Sequence, residues 1–177
     1  YDRYDRSAPK VYLGEWASKG HTVENALTEA LYLCSLERNG DVVEMASYAP
    51  LLCDEKSQNW NPDLIYFNGD SITELTPSYE TQKIWGNNSG VEHVGSSLDL
   101  PSEVSYRVGK SVVKDANGKI AIKLVNALPL SLTVNVAGTV IPDGTVAEGF
   151  GGQPGDKTVT EVKTIVKGQK VIIPPYS

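Results

Sequence analysis

One carboxylate stands at the end of a short apolar run near the start of the chain. Glu15 follows Val11-Tyr12-Leu13-Gly14 and precedes Trp16. An apolar run that ends in glycine and an acid is typical of a buried parallel strand with a polar C-terminal tip. In barrels of alternating strands and helices, catalytic residues project from such tips. The spacing alone leaves a second interpretation open, in which Glu15 caps the next helix or pairs with a nearby Arg or Lys.

The residues that follow predict one strand-helix-strand unit around Glu15. Thr22 can cap a helix that extends to about Asn39, and a second strand-like run extends from Val42 to Ala46. The apolar residues of the helix recur at the spacing of one buried face: Val23, Ala26, Leu27, Ala30, Leu31 and Cys34. A βαβ unit of this kind implies a parallel sheet with helices packed outside it.

The pattern changes near residue 87, where a polar linker begins and helical periodicity ends. Apolar and polar residues alternate at 120–124 and 132–136 and again around Val159, which predicts half-buried strands. The segment 115–118, Asp-Ala-Asn-Gly, predicts a hairpin turn with a positive φ at its glycine. We interpret the glycines at 149–152 as a loop. Short strands between turns predict a β-sandwich.

Several motifs, in order along the chain, resemble the α-L-arabinofuranosidases of glycoside hydrolase family 51. They are Gly14-Glu15-Trp16-Ala17-Ser18, Leu36-Glu37-Arg38-Asn39-Gly40-Asp41-Val42-Val43, Met45-Ala46-Ser47-Tyr48-Ala49-Pro50-Leu51, Trp60-Asn61-Pro62-Asp63-Leu64-Ile65-Tyr66-Phe67 and Thr76-Pro77-Ser78-Tyr79-Glu80-Thr81-Gln82-Lys83. A weaker β pattern continues the resemblance to Ser177, and its end, 174–177, resembles the run into the family's last strand. Trp16 departs from the family, since many members carry tyrosine there.

The resemblance implies a retaining glycosidase in which Glu15 is the nucleophile. Retaining hydrolysis needs a second carboxyl group about 5–5.5 Å away, which acts first as an acid and then as a base. The family carries this acid/base in an Asn-Glu pair, and no such pair occurs in this chain. The candidates Glu37, Glu44 and Glu55 lack the expected neighbours. We therefore expect the isolated chain to be inactive.

Length limits how much of the family's barrel this chain can hold. A (β/α)₈ barrel typically takes about 250 residues, whereas the chain has 177 and its second half has a β pattern. We predict a mainly β fold, with the last βα units of a (β/α)₈ catalytic barrel in residues 1–86 and a C-terminal β-sandwich in residues 87–177. The chain is then the C-terminal part of a larger enzyme.

The resemblance also implies three residues that contact the substrate. Trp60 and Asn61 match a segment that lies near the sugar site, so Trp60 could pack on a sugar face and Asn61 could bond a hydroxyl group. Both could instead anchor their loop. Trp16, next to Glu15, is expected in the pocket wall rather than in the chemistry.

Composition excludes some partners and implies no cofactor. The net charge is −6 and the sequence contains no basic stripe, which disfavours a nucleic-acid partner. The chain has no run of about 18 apolar residues, so the sequence predicts no membrane span. Cys34 and Cys53 are expected to be reduced core residues rather than a disulfide. His21 and His93 lie far apart in the sequence without other ligands nearby, so we predict surface or loop positions and no metal site.

Three classes of function stay open from the sequence. The first is a fragment of an enzyme that releases terminal α-L-arabinofuranosyl residues from arabinose-containing polysaccharides or oligosaccharides. The second is a carbohydrate-binding module, which needs an exposed aromatic platform, but only Tyr106, Phe150 and Tyr176 are aromatic beyond residue 100. The third is a structural domain that supports the barrel and contributes to an oligomer interface, for example in a homo-oligomeric parent. The sequence does not indicate a cellular location.

Overall fold

The computed structural model describes residues 1–177, and the chain is mainly β, with three helices and twelve strands. The helices are α1 (Val23–Arg38), α2 (Pro77–Asn87) and α3 (Ser102–Ser105). The strands of the first half are β1 (Val11–Trp16), β2 (Val43–Tyr48), β3 (Leu52–Asp54), β4 (Ile65–Asn68) and β5 (Ser71–Leu75). The strands of the second half are β6 (Glu92–His93), β7 (Val108–Lys114), β8 (Ile120–Asn126), β9 (Leu132–Asn135), β10 (Val146–Gly151), β11 (Thr160–Ile165) and β12 (Lys170–Ile173).

The predicted strand-helix-strand unit is confirmed. Strands β1 and β2 pair in parallel, and α1 connects them. The helix begins where predicted, because the side chain of Asn25 accepts hydrogen bonds from the backbone N–H of Thr22 at 3.1 Å and from its hydroxyl at 2.8 Å. A second parallel pair, β3 with β4, continues antiparallel into β5. The two sheets do not close into a barrel within this chain.

The second half of the chain is built from antiparallel strands, which fits the predicted β-sandwich. The sheets are β6-β7-β8, β10-β11 and β9-β12. The hairpin between β7 and β8 turns where predicted, with φ of +84° at Gly118. The carboxylate of Asp115 accepts the backbone N–H groups of Asn117 and Lys119 at 2.8 and 2.9 Å. A largely apolar cavity of about 760 Å³ lies between the sheets.

One prediction about the second half is wrong. The glycines at 149–151 belong to strand β10 rather than to a loop. A Cβ at Gly151 would lie 2.9 Å from the carbonyl oxygen of Tyr176, so glycine there allows close approach of the chain's end. The segment 174–177 follows β12, and its resemblance to the run into the family's last strand stays a prediction. Its prolines donate no ladder hydrogen bond, and Ser177 instead pairs with Asn126 through two backbone bonds of 3.0 and 2.7 Å.

The histidines and cysteines are at least half-buried. His93 lies in strand β6 with Glu92, so its expected surface or loop placement is wrong, whereas His21 lies in the loop before α1, as predicted. Cys34 and Cys53 are free and buried, as predicted. Burial raises the pKa of the Cys34 thiol to about 12. No group of three or more His, Cys, Asp or Glu side chains could hold a metal ion.

Helix α1 is packed on two sides. The predicted apolar face contacts α2 and the sandwich, where it forms a core with Trp85 and Val125: Val23, Leu27, Ala30 and Cys34. Strand β7 approaches this face so closely that a Cβ on Gly109 would lie 2.7 Å from the Leu31 side chain. The opposite face of α1 meets the ends of β1 and β2, where Glu29 and Tyr32 lie. None of the three helices is long and apolar enough to cross a bilayer.

A buried ion pair fixes the last turns of α1 to the sandwich. Lys123 of β8 lies 2.5 Å from Glu37 of α1, and both side chains are largely buried. The same ammonium group donates to the backbone oxygen of Asn88 at 2.9 Å and lies 5.4 Å from the centre of the Trp85 ring. Lys123 therefore joins α1, α2 and β8 at one point.

Replacement of Lys123 by methionine should reduce the free energy of unfolding of the protein by about 3–5 kcal/mol, since the Glu37 carboxylate would stay buried without its partner. Urea denaturation measures this loss. Lys163→Met is the control, because the Lys163–Glu161 pair at 2.9 Å is exposed and screened by solvent, so its loss should leave the denaturation midpoint nearly unchanged. Equal small losses for the two variants would contradict the structural importance of the buried pair.

Candidate functional site

The local geometry of β1 turns Glu15 toward an open face. Glu15 lies opposite Ser47 of β2, whereas Leu13 lies opposite Ala46, so β1 has one extra residue, Gly14, between these pairs. Such a bulge re-aims the following side chain. Strict alternation from Leu13 would have placed Glu15 on the same face as Leu13. The bulge instead places Glu15 on the face of Ser47.

This face is uncovered within the chain. The hydroxyl groups of Tyr12 and Ser47 lie 2.9 Å apart, which places both residues on one side of the strand pair. Tyr12 pairs with Met45, and these two side chains are 60% and 57% exposed. Glu15 is exposed as well. A second body, either more protein or a ligand, can therefore reach the carboxylate from this side.

Glu15 takes neither of the structural roles that its spacing allowed. The cap of α1 is formed by Thr22 and Asn25. None of the ion pairs of the chain includes Glu15. The carboxylate is therefore free for other contacts in this chain.

Trp16 lies on the other side of the strand pair, against α1. Its ring makes edge contacts with Tyr32 of α1 and with Tyr48 at the end of β2, at centroid distances of 5.2 and 5.7 Å. The indole is half-buried. The structure thus gives Trp16 a packing position beneath the end of β1, and its predicted contact with a sugar stays a prediction.

Trp60 and Asn61 lie in the loop between β3 and β4. Trp60 is 63% exposed, and Asn61 is exposed too. The indole borders a recess of about 250 Å³ that contains mostly polar side chains: Asp54, Ser57, Gln58, Asn59 and Asp63. An exposed aromatic ring beside hydrogen-bonding groups suits a sugar. Glu15, Trp16 and Asn61 do not line this recess, so the chain alone does not bring the four predicted site residues into one pocket.

The other candidate acids are not partners for Glu15. Glu37 is held by Lys123. Glu44 lies three residues before Ser47 in β2, which places it about 10 Å along the strand from Glu15. Glu55 is exposed in a turn after β3. Of the two carboxylates that a catalytic pair would need, the chain thus contributes Glu15 alone.

One buried acid near Glu15, Glu29, is not among the residues predicted from the sequence. Glu29 of α1 is only 2% exposed, and its carboxylate accepts hydrogen bonds from Ser18 and Tyr48. Burial raises the pKa of Glu29, although hydrogen bonds from Ser18 and Tyr48 act in the opposite direction. The sequence does contain a signal for this buried acid, because Glu29 interrupts the apolar residues of the helix between Leu27 and Ala30.

A family model for the α-L-arabinofuranosidase C-terminal domain matches residues 11–177. An extracellular exo-α-L-arabinofuranosidase from Streptomyces chartreusis is 48% identical over 105 residues, which are 59% of this chain and 13% of the relative. α-L-Arabinofuranosidase 1 from Arabidopsis thaliana is 38% identical over 133 residues, which are 71% of this chain and 19% of the relative. The chain thus spans a fifth or less of the length of these relatives.

Two solved structures of α-L-arabinofuranosidases superpose on most of this chain. An arabinose-bound GH51 α-L-arabinofuranosidase superposes with a TM-score of 0.79 at 25% identity and covers 99% of this chain and 32% of its own. An arabinose complex of the α-L-arabinofuranosidase from Thermotoga maritima superposes with a TM-score of 0.71 at 18% identity, covering 94% of this chain and 41% of its own. The second likeness concerns the fold alone.

Proposed function

Since the chain belongs to the family of α-L-arabinofuranosidase C-terminal domains, we propose that it completes a retaining glycoside hydrolase that releases terminal α-L-arabinofuranosyl residues. Glu15 is the nucleophile of this enzyme. The observation that carries the proposal is the position of Glu15, at the C-terminal end of a parallel strand on an uncovered face. Functional side chains of strand-helix barrels occupy this position.

The reaction proceeds in two balanced steps. A carboxylate oxygen of Glu15 attacks the anomeric carbon, the bond from that carbon to the glycosidic oxygen breaks, and the leaving oxygen takes a proton from an acid partner. The partner, now a base, then removes a proton from water, which attacks the same carbon and releases arabinose and the Glu15 carboxylate. Neither step needs a cofactor.

The acid/base partner and most of the barrel belong to other parts of the parent protein. Residues 1–86 form the C-terminal end of the (β/α)₈ catalytic barrel, and residues 87–177 form the β-sandwich. The exposed pair of Tyr12 and Met45 supports this division, because inward-facing side chains of a closed barrel would bury it. The isolated chain would then carry half of the catalytic pair and be inactive.

Substrate contacts complete the proposal. Trp60 stacks on a sugar ring, and Asn61 bonds a hydroxyl group, in a polysaccharide or oligosaccharide that bears arabinofuranosyl units. The exposure of both residues and the polar recess beside Trp60 support this assignment. Trp16 affects the substrate from behind the strand, through its contacts with Tyr32 and Tyr48.

A binding module without catalysis is less well supported. Of the three aromatic residues beyond residue 100, only Tyr106 is exposed, at 73%. Phe150 is buried, and Tyr176 packs against the core. A single exposed ring offers no platform for a polysaccharide. Retention of the isolated chain on immobilised arabinan, compared with buffer, would reveal such a module.

Covalent trapping in the full-length protein tests the nucleophile directly. A 2-fluoro-α-L-arabinofuranoside with an activated leaving group slows both steps, so the glycosyl-enzyme should accumulate. Mass spectrometry of the intact protein should then show one fluorosugar per chain, and peptide analysis should place it on Glu15. Glu15→Gln should take up no label. A label on another carboxylate would refute the assignment.

A further inference from the structure

We propose that Glu29 is a positioning residue that holds the ends of β1 and β2 together and thereby fixes the Glu15 carboxylate for attack. The inference rests on the proposed role of Glu15 as nucleophile. Glu29 lies on the second turn of α1, on the side of the helix that faces the two strands. It does not touch the substrate in this scheme and acts only through the backbone that carries Glu15.

One oxygen of Glu29 joins two elements. Its Oε1 atom accepts the backbone N–H of Ser18 at 3.0 Å and the Ser18 hydroxyl at 2.7 Å. The same atom accepts the hydroxyl of Tyr48 at 3.3 Å. Ser18 follows the end of β1, and Tyr48 is the last residue of β2. Three donors on two strand ends therefore converge on a single acceptor.

Both strand ends lie just beyond Glu15. Ser18 comes three residues after Glu15, and Tyr48 comes one residue after Ser47, which lies opposite Glu15. A backbone bond from the N–H of Ala49 to the carbonyl of Trp16, at 3.2 Å, closes the pair just beyond this point. A displacement of either end would move the backbone around Gly14, where the bulge already departs from regular pairing.

The burial of Glu29 reduces the stability of the folded state, which indicates that the residue has a function other than packing. Its side chain is 2% exposed, and its Oε2 atom is buried with no hydrogen-bond partner. A buried carboxyl with an unpaired oxygen destabilises the folded state relative to an apolar side chain of similar size. An apolar residue would continue the packing of α1, but it could not accept the three hydrogen bonds. The arrangement thus favours geometry over stability.

The test compares Glu29→Ala and Glu29→Gln in the full-length protein with p-nitrophenyl α-L-arabinofuranoside as substrate. Misplacement of a reacting group by about 1 Å can reduce a rate by about 10²-fold. We expect Glu29→Ala to lower kcat roughly 10- to 100-fold with little change in KM. Glutamine keeps the acceptor oxygen, so Glu29→Gln should stay within about threefold of the parent kcat.

Two controls separate positioning from folding and from the proposed function. Glu24→Ala removes an exposed acid from the first turn of the same helix and should leave kcat within about twofold. Glu15→Ala, measured in parallel, tests the nucleophile itself. If Glu29→Ala does not fold, the double variant Ser18→Ala/Tyr48→Phe removes two of the three donors and should lower kcat, again without a matching change in KM.

The outcomes are distinct. A loss of kcat in Glu29→Ala that Glu29→Gln restores supports the proposal. The parent kcat in a folded Glu29→Ala enzyme, or in the folded double variant in its place, would overturn the proposal. A Glu29→Gln enzyme as slow as Glu29→Ala would overturn it too, since the charge of Glu29 rather than its acceptor oxygen would then matter. An active Glu15→Ala would instead refute the nucleophile, whatever the Glu29 variants show.

Discussion

Replacement of Glu15 by alanine in the full-length protein should reduce turnover on the order of 10⁴-fold or more, because loss of a nucleophile removes the covalent step on which the rest of the cycle depends. The measurement is the steady-state rate with an aryl α-L-arabinofuranoside. Glu44→Ala is a matched control, since Glu44 is an exposed acid on the neighbouring strand β2. It should keep turnover within about twofold of the parent.

Azide gives this prediction its sharper test. A small anion can occupy the space that the Glu15 side chain leaves and attack the anomeric carbon from the same face. The product should be a glycosyl azide of inverted, β-L, configuration, and NMR distinguishes it from the α anomer. Near-normal turnover by Glu15→Ala would refute the nucleophile role. A folded, inactive variant without rescue would leave Glu15 as a binding or structural acid and would weaken the role.

The isolated chain should show no measurable hydrolysis of the same aryl arabinofuranoside. A nucleophile without its acid/base partner lacks protonation of the leaving group and, later, activation of water. Circular dichroism and a cooperative melting transition should first establish that the chain is folded. The full-length protein, assayed at the same molar concentration, provides the positive reference.

The same experiment has a clear opposite result. Turnover by the purified chain that Glu15→Gln abolishes would mean that an acid within these residues serves as the partner. Glu55 would then be the first residue to replace, because it is exposed and forms no ion pair. Turnover that persists in Glu15→Gln would instead indicate a contaminating activity.

The sequence predicted the helix of the strand-helix-strand unit closely. A cap at Thr22, apolar residues at helical spacing and a polar end at Asn39 are local signals, and α1 extends over Val23–Arg38 as expected. The hairpin at 115–118 is local as well. These predictions succeed because the responsible contacts lie within a few residues of one another.

Other features depend on contacts that are distant in sequence. Glycines in β10 resemble a loop until the chain's end is known to pack against Gly151. The face of Glu15 follows from a bulge in the pairing with β2, which no alternation pattern predicts. The role of Glu29 needs Ser18 and Tyr48 together, and these lie 11 and 19 residues away along the chain. The family resemblance identified Glu15 but gave no sign of this support.

The two-sided packing of α1 has a consequence for hybrid proteins in which the sandwich comes from a different relative. One side of the helix contacts the strand ends around Glu15, and the other contacts β7 so closely that Gly109 has no room for a side chain. A breakpoint placed near residue 87 would separate α1 from the sandwich surface on which it is seated. Exchange of sandwiches between relatives should therefore succeed only when α1, β7 and β8 come from the same parent, so that α1 and the sandwich are transferred as one unit.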